Sequence, residues 1–315
     1  MSLDDRVVFV DKPRGVTSFG VVRQIRKAAR IQKIGHCGSL DPLATGLLAI
    51  CTGVATRVTS VLMNQPKVYF GRVRFGRATD SYDADGRVVA EAPVPSLTEA
   101  DLQAALRTFE GEIEQRPPMV SAVKHAGERL YEIARRGEEV ERVARRVMVY
   151  AIDLVDHGAE HADVRICCGR GCYVRSIAHE LGERLGMPAH LETLRRTALG
   201  TVQVEAAIRL DDLLEALASG NPIPRGVRPL ASALDFLPAL SVRAGFEAAL
   251  RHGTQPGPQH LRDAPRQSGL HRVFDAGGST LLALAQVAGR DGSGPVRLEC
   301  VFARPLDAHP ESDPS

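Results

Sequence analysis

No Cys-x-x-Cys pair occurs among the six cysteines of this 315-residue chain. That spacing marks zinc ribbons and thioredoxin-like centres, so neither is expected. No signal-like leader and no long apolar run is present, so a reducing cytoplasm is the expected compartment and no membrane span is expected. Acidic residues are nearly missing from one window. Between Lys12 and Thr79 there is a single carboxylate, Asp41, against twelve Lys and Arg. The net charge of the whole chain, +2, is too small to argue for a polyanionic partner. The distribution says more: residues 1–60 hold nine Lys and Arg against four Asp. A local basic face is the electrostatic footprint of a nucleic-acid binder.

The hydrophobic pattern mixes short strands and helices with no repeating βαβ period. It predicts an α+β fold with a mainly antiparallel mixed sheet. Strands are expected at Val7–Val10, Lys67–Arg77, Val147–Val155 and Ala162–Cys168. In the second of these, Tyr69, Gly71, Val73 and Phe75 share one face, while Arg72 and Arg74 share the other. Thr17 or Ser18 caps a helix running to about Arg30, with Arg23, Arg26, Lys27 and Arg30 on its polar face. Further helices are expected near residues 54–63, from Leu97 to Gly111, at Arg129–Arg136, after Arg175 and at Leu210–Ala218. The stretch Gln115–Lys124 reads as extended. Residues 219–226 have linker composition. Beyond them short strand signals dominate, at Arg272–Phe274, Leu281–Val287 and Val296–Phe302. The expected division is therefore a domain at 1–228, a small β-rich domain at 229–305 and a disordered tail at 306–315.

Asp41 lies in Gly35-His36-Cys37-Gly38-Ser39-Leu40-Asp41-Pro42-Leu43-Ala44-Thr45-Gly46. Glycines and a proline shape a tight loop, and its small or apolar neighbours let a ligand approach while keeping water out. A carboxylate there is suited to act as a nucleophile or base. An Asp before a Pro is more often just a turn residue, but the whole loop asks for more. It resembles the signature of the TruB family of pseudouridine synthases, Gly-His-x-Gly-Ser/Thr-Leu-Asp-Pro-x-Ala-x-Gly. Cys37 stands where many members carry Thr.

The resemblance covers about residues 7–215, with several motifs in order. It implies conversion of a uridine in the T arm of tRNA, uridine 55, to pseudouridine. It implies no cofactor and no metal. The partner it implies is the T stem-loop of tRNA, with a monomeric protein and no obligate protein partner. Asp41 then matches the catalytic carboxylate, Tyr69 the pocket tyrosine, and Arg175 in Gly171-Cys172-Tyr173-Val174-Arg175 the arginine paired with that carboxylate. Tyr173 would pack behind the pair. His36 would contact RNA near the flipped base, Leu194 would wall the pocket, and Lys124 and Arg195 would face RNA or be structural. Lys12 would hold a phosphate or a structural ion pair, and Asp83 would belong to a structural or RNA-positioning turn. Residues 229–305 resemble, more weakly, the PUA domain that ends many such proteins.

The chemistry fits one carboxylate. Breaking the bond between uracil and ribose creates a cation-like sugar, which carboxylates stabilise or trap. Isomerisation then needs no water. A nucleosidase would want a second carboxylate to activate water, and none is evident. A third alternative is an RNA-binding or tRNA-folding protein on the same scaffold without essential catalysis. The carboxylate-rich turn at Thr79–Gly86 lacks the twelfth-position acid of a calcium loop. His157 and His161 straddle Gly158 in an expected strand turn, which disfavours a metal site.

Overall fold

The structure, a computed structural model, describes residues 3–121, 124, 125, 128, 129, 133, 136, 138, 140–289 and 291–307. Its centre is an eleven-stranded mixed sheet. The principal path runs Ile208–Arg209, Arg6–Lys12, Thr45–Thr52, Ala189–Leu199, Lys67–Phe75, His161–Cys168, Arg145–Gly158 and Gly111–Gln115. Two of its pairings are parallel, Val10 with Ile208 and Arg196 with Gly46; the others are antiparallel. The α+β expectation holds.

One face of the sheet carries Val8, Val10, Leu48, Ile50, Tyr69, Val73 and Ile166. Val21, Val22 and Ile25 of the helix Ser18–Ala29 and Ile177, Ala178 and Leu181 of the helix Val174–Arg184 pack on it. Thr17 is the N-cap, its hydroxyl accepting from the Gly20 N–H. Ser18 is the first helical residue and is buried. The opposite face at Val7, Phe9, Leu47 and Ala49 is covered by Leu230, Leu234, Phe274, Leu281 and Phe302. These last residues bring in a second, four-stranded sheet, built from Ala239–Ser241, Gly269–Phe274, Thr280–Val287 and Val296–Asp307.

Several expectations need correction. The expected helix at 54–63 is a 3₁₀ turn, Gly53–Val58, followed by a short α-helix, Thr59–Met63. The next helix spans only Glu99–Arg107. It opens with the expected capping box of Thr98 and Asp101, but closes four residues before Gly111, which starts a strand. Most of the expected helix at Arg129–Arg136 lies outside the described residues; Arg129 itself pairs with Lys124 in a short antiparallel ladder. The linker-like stretch is not a free tether. The Gly226 carbonyl accepts from the Phe9 N–H at 2.7 Å, and Val227–Pro229 pairs with Arg6–Val8. Of the expected tail, Leu306 is buried and Asp307 pairs with Thr280; residues 308–315 lie outside the described residues.

The strand Ala189–Leu199, central in the sheet, was not legible as a strand. Register shifts at Leu191/Thr193 and Arg196/Ala198 break its inward alternation, and a bulge of that kind removes the period-two signal. No helix among the described residues is long and apolar enough to cross a membrane.

Candidate active site

Asp41 sits at the rim of a cleft of about 250 Å³, lined also by Tyr69, Tyr173, Arg175, Leu194 and Arg196. Its loop is fastened at several points. The Ser18 hydroxyl accepts from the Leu40 N–H at 2.7 Å and donates to the Leu40 carbonyl at 3.1 Å. The Gly15 N–H donates to the Pro42 carbonyl at 2.8 Å. Arg196 donates to the Ser39 and Gly38 carbonyls at 2.9 and 3.4 Å. A loop tied to a helix start, a turn and a central strand presents its carboxylate with little freedom, as preorganised chemistry requires.

Arg175, in the first turn of its helix, reaches this carboxylate. Nε lies 2.9 Å from Asp41 Oδ2 without hydrogen-bond alignment, and one terminal nitrogen donates to Oδ1 at 3.2 Å. The guanidinium is held by the Ser81 and Val120 carbonyls, both at 2.9 Å, and lies 3.5 Å from Asp83 Oδ2. The Arg175 side chain is 3% exposed, Asp83 7% and Asp41 38%. Of these three, Asp41 is the one open to a ligand. Burial pushes the Asp83 carboxyl above its ordinary range, opposed by the Ser81 hydroxyl bond and by Arg175. Gln115, buried, clamps the residue before the helix: it accepts from the Tyr173 N–H at 2.6 Å and donates to the Tyr173 carbonyl at 2.9 Å.

Tyr69 lies deeper in the cleft. Its oxygen accepts two hydrogen bonds from Arg196, from Nε at 3.2 Å and a terminal nitrogen at 3.1 Å. Arg196 is 1% exposed and also donates to the Leu47 carbonyl at 3.1 Å. Leu194 lies on the same strand and is nearly buried.

The model of the TruB family pseudouridylate synthase N-terminal domain matches residues 26–174, and that of the tRNA pseudouridylate synthase B C-terminal domain matches residues 175–235. The chain belongs to the TruB family. It is 40% identical over 285 residues to tRNA pseudouridine synthase B of Xanthomonas campestris pv. campestris strain B100, covering 90% of this chain and 91% of that one. It is 37% identical over 268 residues to the Clostridium tetani protein of the same name, covering 85% and 91%. A chain in an H/ACA RNP bound to a substrate RNA containing 2′-deoxyuridine superposes with a TM-score of 0.73 at 25% identity, over 95% of this chain and 85% of that one. A chain in a Cbf5–Nop10–Gar1 complex gives 0.72 at 27% identity, over 96% and 86%. The protein is thus a pseudouridine synthase, an isomerase, with the fold of that enzyme class.

In this TruB chain Asp41, Tyr69, Tyr173, Arg175 and Leu194 converge on one cleft. The other residues singled out behave differently. Lys12 is fully buried, and Nζ donates to the Pro13 and Val16 carbonyls at 2.8 and 2.7 Å. A phosphate contact is therefore not open to it, in contrast to the substrate-binding expectation. Burial lowers its pKa to about 8, with the Asp41 charge opposing. His36 is half-buried on a short strand, outside the cleft lining; burial and then Arg196 lower its pKa. Arg195 pairs with Asp11 at 2.7 Å on the other face of the sheet. Lys124 has its backbone in the short ladder with Arg129, and its side chain lies outside what is described.

Reading the sequence alone places Arg196 and Lys67 in motifs beside Leu194 and Tyr69 but gives them, like Gln115, no role at the site. Arg196 follows another arginine, a pattern that suggests surface charge. The usable signal was its place two residues after a pocket leucine. Lys67, also buried, lines the cleft, and burial lowers its pKa to about 8, helped by the Arg196 charge.

Proposed function

We propose that this enzyme isomerises uridine 55 in the T loop of tRNA, with Asp41 as the catalytic carboxylate. The observation that carries the reading is the rim position of Asp41, half-open to the cleft and ion-paired to a buried Arg175. An adjacent guanidinium fixes the orientation of the carboxylate that glycosidic cleavage needs. The target base leaves its stack to enter the cleft. There the Tyr69 ring and Leu194 wall it, and the freed uracil turns and rejoins the ribose through C5. Tyr69 takes the C5 proton. A cleft this small retains the base between the two bond-changing steps.

The substrate reading draws on the relatives named above, which act on tRNA by name, and on the exposed basic helix face of Arg23, Arg26, Lys27 and Arg30. The recognised element is the T stem-loop, read by shape, phosphates and splayed bases. The protein works as a monomer in the cytoplasm. Residues 1–228 form the catalytic domain, and 229–305 a PUA-like RNA-binding domain with its own apolar core at Leu240, Val242, Leu250 and Val273.

The decisive experiment is tritium release from a T-arm transcript labelled at C5 of uridine, for the wild type and Asp41→Asn. Release by the wild type alone, with the uracil retained in the RNA, is expected. Tight RNA binding with no release from either protein would favour the RNA-folding reading instead.

A further inference from the structure

Arg175 and Arg196 are both buried guanidiniums on the same cleft, but they are partnered differently. Arg175 faces two carboxylates, Asp41 and Asp83. Among the described residues Arg196 has no carboxylate within ion-pair distance; its partners are three backbone carbonyls and one phenol. A buried cation without a counter-charge is costly unless something anionic forms beside it.

Its hydrogen bonds show where. A guanidinium has five N–H donors. In Arg196 Nε donates to Tyr69. One terminal nitrogen donates to the Leu47 and Gly38 carbonyls, and the other to the Ser39 carbonyl and again to Tyr69. Every donor is engaged, so Arg196 has none left for a bound base. Its one side-chain hydrogen-bond partner among the described residues, Tyr69, also lines the cleft. A phenol oxygen has two lone pairs and one proton. Both lone pairs receive N–H groups from Arg196. The remaining position holds the proton in the phenol and an electron pair in the phenolate.

We infer that Arg196 is a positioning residue for proton removal at C5: it stabilises the Tyr69 phenolate and turns its one free electron pair to the cleft. The inference rests on the pseudouridine-forming role proposed for Tyr69. The step balances. After the uracil has rejoined ribose through C5, the C5 proton moves to the phenolate oxygen. The electrons of the C–H bond return to the ring and restore its double bond. The phenol then gives its proton to water, which regenerates the base. Burial pushes the Tyr69 phenol above its ordinary range, and the Arg196 charge and hydrogen bonds oppose that rise. Removing Arg196 would leave burial, with the smaller push from Cys168 and Cys172, unopposed.

The test uses the full-length protein and a T-arm stem-loop RNA carrying either protium or deuterium at C5 of the target uridine. Arg196→Lys and Arg196→Gln are compared with the wild type and Tyr69→Phe, with thermal melts for each. The expected result is a single-turnover rate lower by about 10²-fold or more, RNA affinity unchanged, and a C5 isotope effect larger than that of the wild type. Arg196→Lys in the Tyr69→Phe background should then add little further loss, because both changes act on one step. A rate loss without a larger isotope effect, or full multiplicative losses in the double variant, would assign Arg196 to holding the Asp41 loop and overturn the inference. Failure of both Arg196 variants to fold would do the same. Failure of the underlying functional reading looks different: the wild type itself would release no C5 label.

Discussion

Asp41 and Arg175 are 134 residues apart in the chain and within ion-pair distance in the structure, Nε to Oδ2 at 2.9 Å. The pair closes a path from the glycine loop after the first helix to the helix behind the cleft. Asp83 sits on the same guanidinium at 3.5 Å, so one buried cation serves an open carboxylate and a closed one.

Removing that cation strands Asp83. Arg175→Met is expected to destabilise the protein by about 3–5 kcal/mol, the usual cost of leaving one partner of a buried pair unpaired. Adding Asp83→Asn should return part of the loss, since the stranded charge is gone. Denaturant unfolding of the two variants measures this. Equal midpoints for Arg175→Met and wild type would show that the cation does not hold the site together.

Lys12 predicts a stability change with pH. Its folded pKa, about 8, lies below its ordinary value of 10.5, chiefly because burial disfavours the charge. Between these values the unfolded chain binds more protons than the folded one, so stability rises with pH. The cost of the buried charge is full below pH 8 and is relieved up to 10.5. The unfolding free energy of wild type minus Lys12→Met should therefore climb across that window, by up to about 1.4 kcal/mol per pH unit. A flat difference would mean that Nζ titrates normally.

The basic helix face makes a binding prediction. Arg23 and Lys27 are exposed on it. The double variant Arg23→Ala/Lys27→Ala should bind T-arm RNA more weakly and lower the slope of log affinity against log salt by about 2, one per lost phosphate contact. Titrations at several salt concentrations check it. Wild-type affinity independent of salt would place the RNA elsewhere.

Gly46 is where the Asp41 loop meets the central strand. Its φ is +99°, and a Cβ there would stand 2.2 Å from the Arg196 carbonyl oxygen. Gly46→Ala combines backbone strain with a collision against fixed main chain. A loss of more than about 1 kcal/mol is expected, read as a lowered thermal midpoint. An unchanged midpoint would show that the two strands can separate without cost.

Legibility differed along the chain for physical reasons. The strand Lys67–Phe75 alternates cleanly, so its inward set, including Tyr69, could be read directly. The helix at Glu99–Arg107 announced its start through Thr98 and Asp101, whereas its end carried no glycine or proline to mark it. The strand Ala189–Leu199 was hidden by its two bulges, and with it the reason Arg196 points inward. Lys12 sits among cations in a basic segment and reads as a phosphate or ion-pair partner; only the packed turn around it shows that its charge is enclosed by carbonyls.

Sequence by itself determined the residue types at the site, the order of the motifs and the mixture of strands and helices. These depend on local spacing and on chemistry that a single residue carries. Tertiary structure decided which charges meet. Asp41 with Arg175, Asp83 with Arg175 and Tyr69 with Arg196 are contacts between distant segments. Whether an arginine is a solvated surface charge or a buried partner depends on what folds over it, and no spacing along the chain encodes that.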